Sequence, residues 1–198
     1  MLLRGRCRFC KVRISFIYPA LEIFTVLGTV AIVEYFDSWL ICLAWTIFLT
    51  LGLSLSVIDQ RNKRLPDALT LPLYLILLAI LGVDALINGH LNSLLVAFVS
   101  SLTLPLFYLL LNVVSRGGMG LGDAKFALSV GLLTGYIDAF NTVASTFIAF
   151  FLGALVGTIA IKTGKSTRKS TLAFGPFIYL GVLLGPWLSP LLKELLGS

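Results

Sequence analysis

Apolar residues fill the chain in long uninterrupted stretches, roughly at 17–36, 39–58, 68–87, 93–114, 142–161 and 173–192, with short polar breaks between them. About 20 apolar residues are enough for an α-helix to cross a bilayer, so each stretch predicts a transmembrane helix. A shorter stretch at 125–137 crosses only with help from its neighbours or in a thin, tilted arrangement, and it counts as the seventh crossing. The pattern predicts an all-α, polytopic membrane helix bundle of about seven crossings, one of them short. No internal repeat or low-complexity segment interrupts it.

Composition agrees with this class. Of 198 residues, 58% are hydrophobic and 12% charged, whereas soluble domains carry about 25% charged residues. The formal charge of +6 does not indicate nucleic acid, because a nucleic-acid binder needs its basic residues on one accessible face. Here they fall in short loops. Residues 1–15 form a basic head with Arg4, Arg6, Arg8, Lys11 and Arg13 around Cys7-Arg8-Phe9-Cys10, and no cleavable signal peptide is visible. Seven crossings with this head in the cytoplasm place Arg61, Lys63, Arg64, Arg116, Lys125, Lys162, Lys165, Arg168 and Lys169 on the same side. Only Lys193 of the 15 basic residues is left outside. Positive charge in short loops marks the cytoplasmic side, so the N-terminus is expected inside and the C-terminus outside. Omitting the 125–137 crossing would put 162–169 outside, which argues for keeping it.

The acids follow from this topology. Gly117-Gly118-Met119-Gly120-Leu121-Gly122-Asp123-Ala124-Lys125 is a glycine-rich turn ending in a carboxylate at a bilayer edge, where an ionisable group is costly without a partner or a task. The basic-residue topology puts Asp59, at the end of the second stretch, on the same face as Asp123. Two carboxylates brought together do not both ionise easily, and their titrations split apart. Such a pair can hydrolyse a peptide, one carboxylate taking a proton from water while the other acid protonates the scissile carbonyl. The single histidine, His90, falls on the opposite face, which excludes a His-based triad there. Asp123 follows glycines and precedes a helix, whose positive end its carboxylate would feel. Gly120 and Gly122 would let an extended substrate backbone lie against the turn, and Lys125 reads as a topology anchor.

The other acids read as ordinary. Asp67, after Pro66, is placed to cap the third helix, with Pro72 blurring where that helix starts. Asp84, Asp138 and Glu194 read as solvated ends on the outer side, and Glu34 and Asp37 belong to an outer turn. Glu22 falls one turn inside the first crossing, where a packing or interfacial role competes evenly with a functional one. Glycine pairs at four-residue spacing, Gly131 with Gly135, Gly153 with Gly157 and Gly181 with Gly185, read as close helix packing. Gly164-Lys165-Ser166 alone is no phosphate-binding loop, because the first glycine of that motif is missing. Cys7, Cys10 and Cys42 make no disulfide framework.

Together these residues resemble the type IV prepilin peptidases, bacterial inner-membrane aspartic proteases of the GxGD class. The resemblance rests on Gly118-Met-Gly-Leu-Gly-Asp-Ala-Lys125, on Asp59 followed by basic residues and Leu65-Pro66-Asp67, and on Ala173-Phe-Gly-Pro-Phe177. Arg6-Cys-Arg-Phe-Cys10, Ile14-Ser15 and Tyr18-Pro-Ala-Leu-Glu22 are similar to the family's second cysteine pair and the span after it. The resemblance covers roughly 4–190 and implies that the two family aspartates are Asp59 and Asp123. It implies a head at 1–15 and a membrane-embedded peptidase domain at 16–198, in the bacterial cytoplasmic membrane with its site facing the cytoplasm. The implied partners are membrane lipid and precursors of type IV pilins, pseudopilins or competence pilins, cut after a glycine behind a basic leader.

The chain also departs from the bifunctional family pattern, in which an extra N-terminal span precedes two cysteine pairs and the new N-terminus is methylated. Met1 stands just before Cys7 and Cys10, so the chain is either a truncated member or a natural peptidase-only one. Structural zinc sites use four ligands, and two cysteines predict no bound metal. Peptide cleavage needs no cofactor; S-adenosylmethionine enters only where methyltransferase activity is retained. Three alternatives stay open. A proton-coupled membrane carrier also pairs acids, but near the midplane. A presenilin-like protease places a tyrosine before its first aspartate, where this chain has Ile58. A purely structural membrane scaffold is the third.

Overall fold

The computed structural model of the protein describes residues 16–63, 65–115, 119–164 and 173–196. The head with Cys7 and Cys10, Gly117, Gly118 and most of the polar loop at 162–172 lie outside the described residues. The described chain forms seven helices and no strand: α1 (Ile17–Tyr35), α2 (Trp39–Asn62), α3 (Asp67–Asn88), α4 (Leu91–Val114), α5 (Leu121–Ile137), α6 (Ala139–Lys162) and α7 (Gly175–Leu196). Five of them, α2, α3, α4, α6 and α7, are individually long and apolar enough to cross a membrane.

The boundaries follow the apolar stretches, with two differences that matter to the acids. Helix α2 does not stop at residue 58. It runs on through Gln60 and Arg61 until Lys63 turns left-handed at φ 50°, so Asp59 is helical and its carbonyl accepts the Lys63 N–H at 2.7 Å. Helix α5 starts at Leu121 rather than near 125, which places Asp123 inside its first turn. Asp67 does not cap α3. Pro66 holds the cap position, and the Asp67 carboxylate instead receives Lys125 Nζ at 2.7 Å on both oxygens. Helix α3 continues through Pro72.

The organising element is the shortest helix. Helix α5 packs against α3, α4, α6 and α7, and between Asp123 and Tyr136 only Lys125 and Leu128 escape burial. Its 17 residues span about 25 Å, less than the roughly 30 Å of a bilayer core. A helix walled by other helices need not reach the lipid–water boundary on its own, because its ends are sheltered by longer neighbours. That explains how so short a segment takes part in the bundle.

Small residues set the tightest contacts. A Cβ on Gly131 would stand 2.3 Å from the Ser100 carbonyl oxygen, and one on Gly135 2.6 Å from the Ser100 side chain, so α4 and α5 touch nearly backbone to backbone. Gly181 and Gly185 meet Ser145 in the same way between α6 and α7. The third pair differs: Gly153 lies under the Phe174 ring, while Gly157 has nothing within 4 Å. Phe48 of α2 stacks on Phe126 of α5 at 5.7 Å and on Tyr179 of α7 at 6.0 Å, closing the core between these helices.

Asp138 is half-buried, not a free solvated end. It caps α6 by accepting the Asn141 N–H and pairs with Lys193 at 2.7 Å. Asp84 departs further from expectation. It is fully buried and accepts hydrogen bonds from Ser38, Asn88 and Tyr136, with His90 also in reach. These four neighbours, Asn88 and His90 among them exposed, form a polar shell around Asp84 that single-sequence reading cannot assemble.

Candidate active site

Asp59 and Asp123 are both about 5% exposed and lie at the same end of the bundle, on helices that do not follow one another in the chain. No direct hydrogen bond joins the two carboxylates; each takes its own backbone donor.

Asp59 Oδ2 accepts the Gly175 N–H at 2.9 Å. Gly175 is the first residue of α7, so its N–H is one of the donors that a helix start leaves without an intrahelical acceptor. Local sequence explains the geometry. The Phe174 carbonyl already accepts the N–H groups of Phe177 and Ile178, and Pro176 has no N–H to satisfy. Gly175 alone offers a donor toward α2, and a Cβ there would come within 2.8 Å of Asp59 Oδ2. Sequence reading picked out Phe174-Gly175-Pro176 only as part of a resemblance. The signal that it touches Asp59 was its position opening the last span, on the same face as the acid.

Asp123 Oδ2 accepts the Gly120 N–H at 3.2 Å, and the Asp123 N–H bonds back to the Gly120 carbonyl at 3.1 Å. This is the reaching-back half of a capping box, with glycine in the cap position. Each carboxylate therefore stands at the positive end of a helix, Asp123 at its own and Asp59 at that of α7. Gly120 is exposed, with φ −72°. Gly122 is half-buried, and a Cβ on it would meet Leu65 at 3.0 Å, so it seats the turn against the α2–α3 connection. Neither is among the positive-φ glycines; close approach is what calls for glycine at 122.

Helix α4 backs the turn. Asn112 Nδ2 donates to the Met119 carbonyl, one residue before the cap. One helical turn earlier, the buried ring of Tyr108 lies 6.4 Å from that of Phe174, beside the Gly175 donor. Sequence reading missed both residues, since a polar position in an apolar helix has no distinguishing spacing. Glu22 is exposed and lines a cleft of about 1070 Å³ between α1 and α2 with Pro19, Thr50 and Ile58. Among the described residues no group of three His, Cys, Asp or Glu side chains could hold a metal ion.

Two buried acids, each held by a backbone donor at one end of the bundle, are candidates for acid–base chemistry. Comparison with known proteins bears on which reaction that serves. Residues 46–159 match the model of the type IV leader peptidase family, and residues 1–36 match that of the bacterial peptidase A24 N-terminal domain. Relatives include proteins named prepilin leader peptidase/N-methyltransferase from Pseudomonas putida, Bacillus subtilis and Burkholderia pseudomallei strain 1026b. The first is 29% identical over all of this chain and 69% of its own length, the second 28% over 91% and 70%. The third is 35% identical over 90% of this chain and 57% of its own length. The chain thus spans about 57–70% of the length of these relatives. No solved structure matches it. Buried paired acids on a membrane helix bundle, and a family match across more than half the chain, lead to one conclusion: this integral membrane protein belongs to the type IV leader peptidase family.

Proposed function

We propose that the protein is an aspartic endopeptidase that removes the basic leader from type IV prepilin-like precursors at the cytoplasmic face of the bacterial inner membrane. The observation that carries this reading is the burial of Asp59 and Asp123 at one end of the bundle, each held by a backbone N–H at a helix start. One carboxylate draws a proton from the attacking water while the other, protonated, donates to the scissile carbonyl oxygen; roles then reverse as the amine leaves. Gly175 and Gly120 hold the two carboxylates in place, and exposed Gly120 leaves room for an extended substrate backbone beside Asp123. Gly122 supports the same face through its seat on Leu65. The basic side chains of Arg61, Lys63, Lys125 and Lys162 border this end, which supports a cytoplasmic orientation.

The test is incubation of the purified chain with a pilin precursor, with and without S-adenosylmethionine, followed by the mass of the new N-terminus. The expected product begins at the residue after the leader's terminal glycine. The same mass reports whether a methyl group is added, an activity included in the relatives' names. An intact precursor under conditions where a full-length relative cleaves it would sink the reading.

The Asp59–Gly175 contact gives a second expectation. Gly175→Ala forces a methyl group against Asp59 Oδ2, and displacements of about 1 Å at reacting groups can cost on the order of 10²-fold in rate. Cleavage by the variant is expected to fall by about tenfold to a hundredfold with KM little changed. Wild-type kcat in Gly175→Ala would show that this contact does not set the geometry.

A further inference from the structure

The buried carboxylate at the far end of the bundle is used by nothing in the reaction above. Asp84 of α3 has no exposed surface. Its Oδ1 accepts the Ser38 hydroxyl and Asn88 Nδ2 at 2.8 Å; its Oδ2 accepts the Tyr136 hydroxyl at 2.6 Å and lies 3.1 Å from His90 Nδ1. Ser38 is the cap residue of α2, and Tyr136 is the penultimate residue of α5. These are the helices that carry Asp59 and Asp123. Along these helices the Phe48 and Phe126 rings stack at 5.7 Å, and stacked rings slide along one another more readily than hydrogen bonds stretch.

We infer that Asp84 is a positioning residue: by bonding the start of α2 and the end of α5 at once, it fixes the axial register of the two helices and so the spacing of Asp59 and Asp123. Ser38 lies about 30 Å from Asp59 along α2 and Tyr136 about 20 Å from Asp123 along α5, at 1.5 Å per residue. A helix transmits an axial shift along its length, so a slip at the Asp84 end arrives at the carboxylates. A membrane-embedded acid with this many donors is costly to unmake, which gives the junction its stiffness. A carboxylate that merely stabilised the bundle would change its melting point without changing the distance between helices in the folded protein.

The activity arm of the test rests on the proposed peptidase reaction; the distance arm does not. In a full chain with Cys7, Cys10 and Cys42 replaced by serine, spin labels at Gln60→Cys and Leu121→Cys report the separation of the two helix ends. Both are exposed positions beside the aspartates. Asp84→Asn and Tyr136→Phe are each expected to shift or broaden the label distance by about 1–2 Å, on the order of one residue's rise. In parallel with that shift, kcat for precursor cleavage should fall about tenfold with KM within twofold, in protein that still melts cooperatively. Parent-like distances in Tyr136→Phe and Ser38→Ala overturn the inference, even if Asp84→Asn does not fold. A shifted distance with unchanged kcat overturns it as well. If the parent chain cleaves no precursor, the peptidase reading fails, and the label distances alone still decide whether Asp84 couples the helices.

Discussion

Asp59→Asn and Asp123→Asn are each expected to lower leader cleavage by about 10²–10⁴-fold, the usual range for losing a positioned acid or base. The protein should keep its fold. Asparagine preserves the side-chain shape, and its carbonyl oxygen can still accept the Gly175 N–H at 59 or the Gly120 N–H at 123. What it removes is the ability to take or give a proton. In the proposed mechanism the two acids act on one water as a unit, so the double variant should be little worse than either single one. Quantified precursor cleavage beside a thermal melt in the same detergent checks both halves. Normal processing by either single variant would remove the dyad from the reaction.

The second large effect is on stability. Gly131→Ala puts a methyl group 2.3 Å from the Ser100 carbonyl oxygen, and neither backbone can yield without parting α4 from α5. Overpacking of this kind costs about 1–3 kcal/mol, set against the roughly 1 kcal/mol that alanine gains over glycine as a helix former. The clash should win, and since α5 carries Asp123, activity should fall with stability. Gly157→Ala is the matched control. It belongs to the same four-residue spacing pattern but faces open space, so only the helix preference remains and the variant should be neutral or slightly more stable. Equal effects of the two substitutions on the melting midpoint would contradict the packing described for α4 and α5.

That contrast shows how far a sequence pattern reaches. Spacing of four puts two glycines on one helix face, and three such pairs look alike in the chain. Whether a neighbouring helix packs tightly on that face is a tertiary fact, true of Gly131 and Gly135 and of Gly181 and Gly185, and untrue of Gly157. The acids divide in the same way. Asp59 and Asp123 could be put on one side of the membrane because loop charges fix topology independently of packing, and sidedness was enough to pair them as candidates. Asp84 looked like Asp138 and Glu194, an acid near an outer helix end. Its surroundings are tertiary: Ser38 and Tyr136 reach it from 46 and 52 positions away, joining Asn88 and His90 close by in the chain.

By itself, then, the sequence determined the helical class, the apolar stretches and the seven described helices. Each of these depends on local composition over about 20 residues and on the high cost of leaving backbone or charge in lipid. Tertiary structure alone decided that the short α5 is the central helix, that Gly175 supplies a donor to Asp59, and that Asp84 ties α2 to α5. Those are contacts between residues 46–116 positions apart, set by how seven apolar rods pack once all are already in the membrane. Hydropathy, nearly uniform along such rods, carries no information about which faces meet.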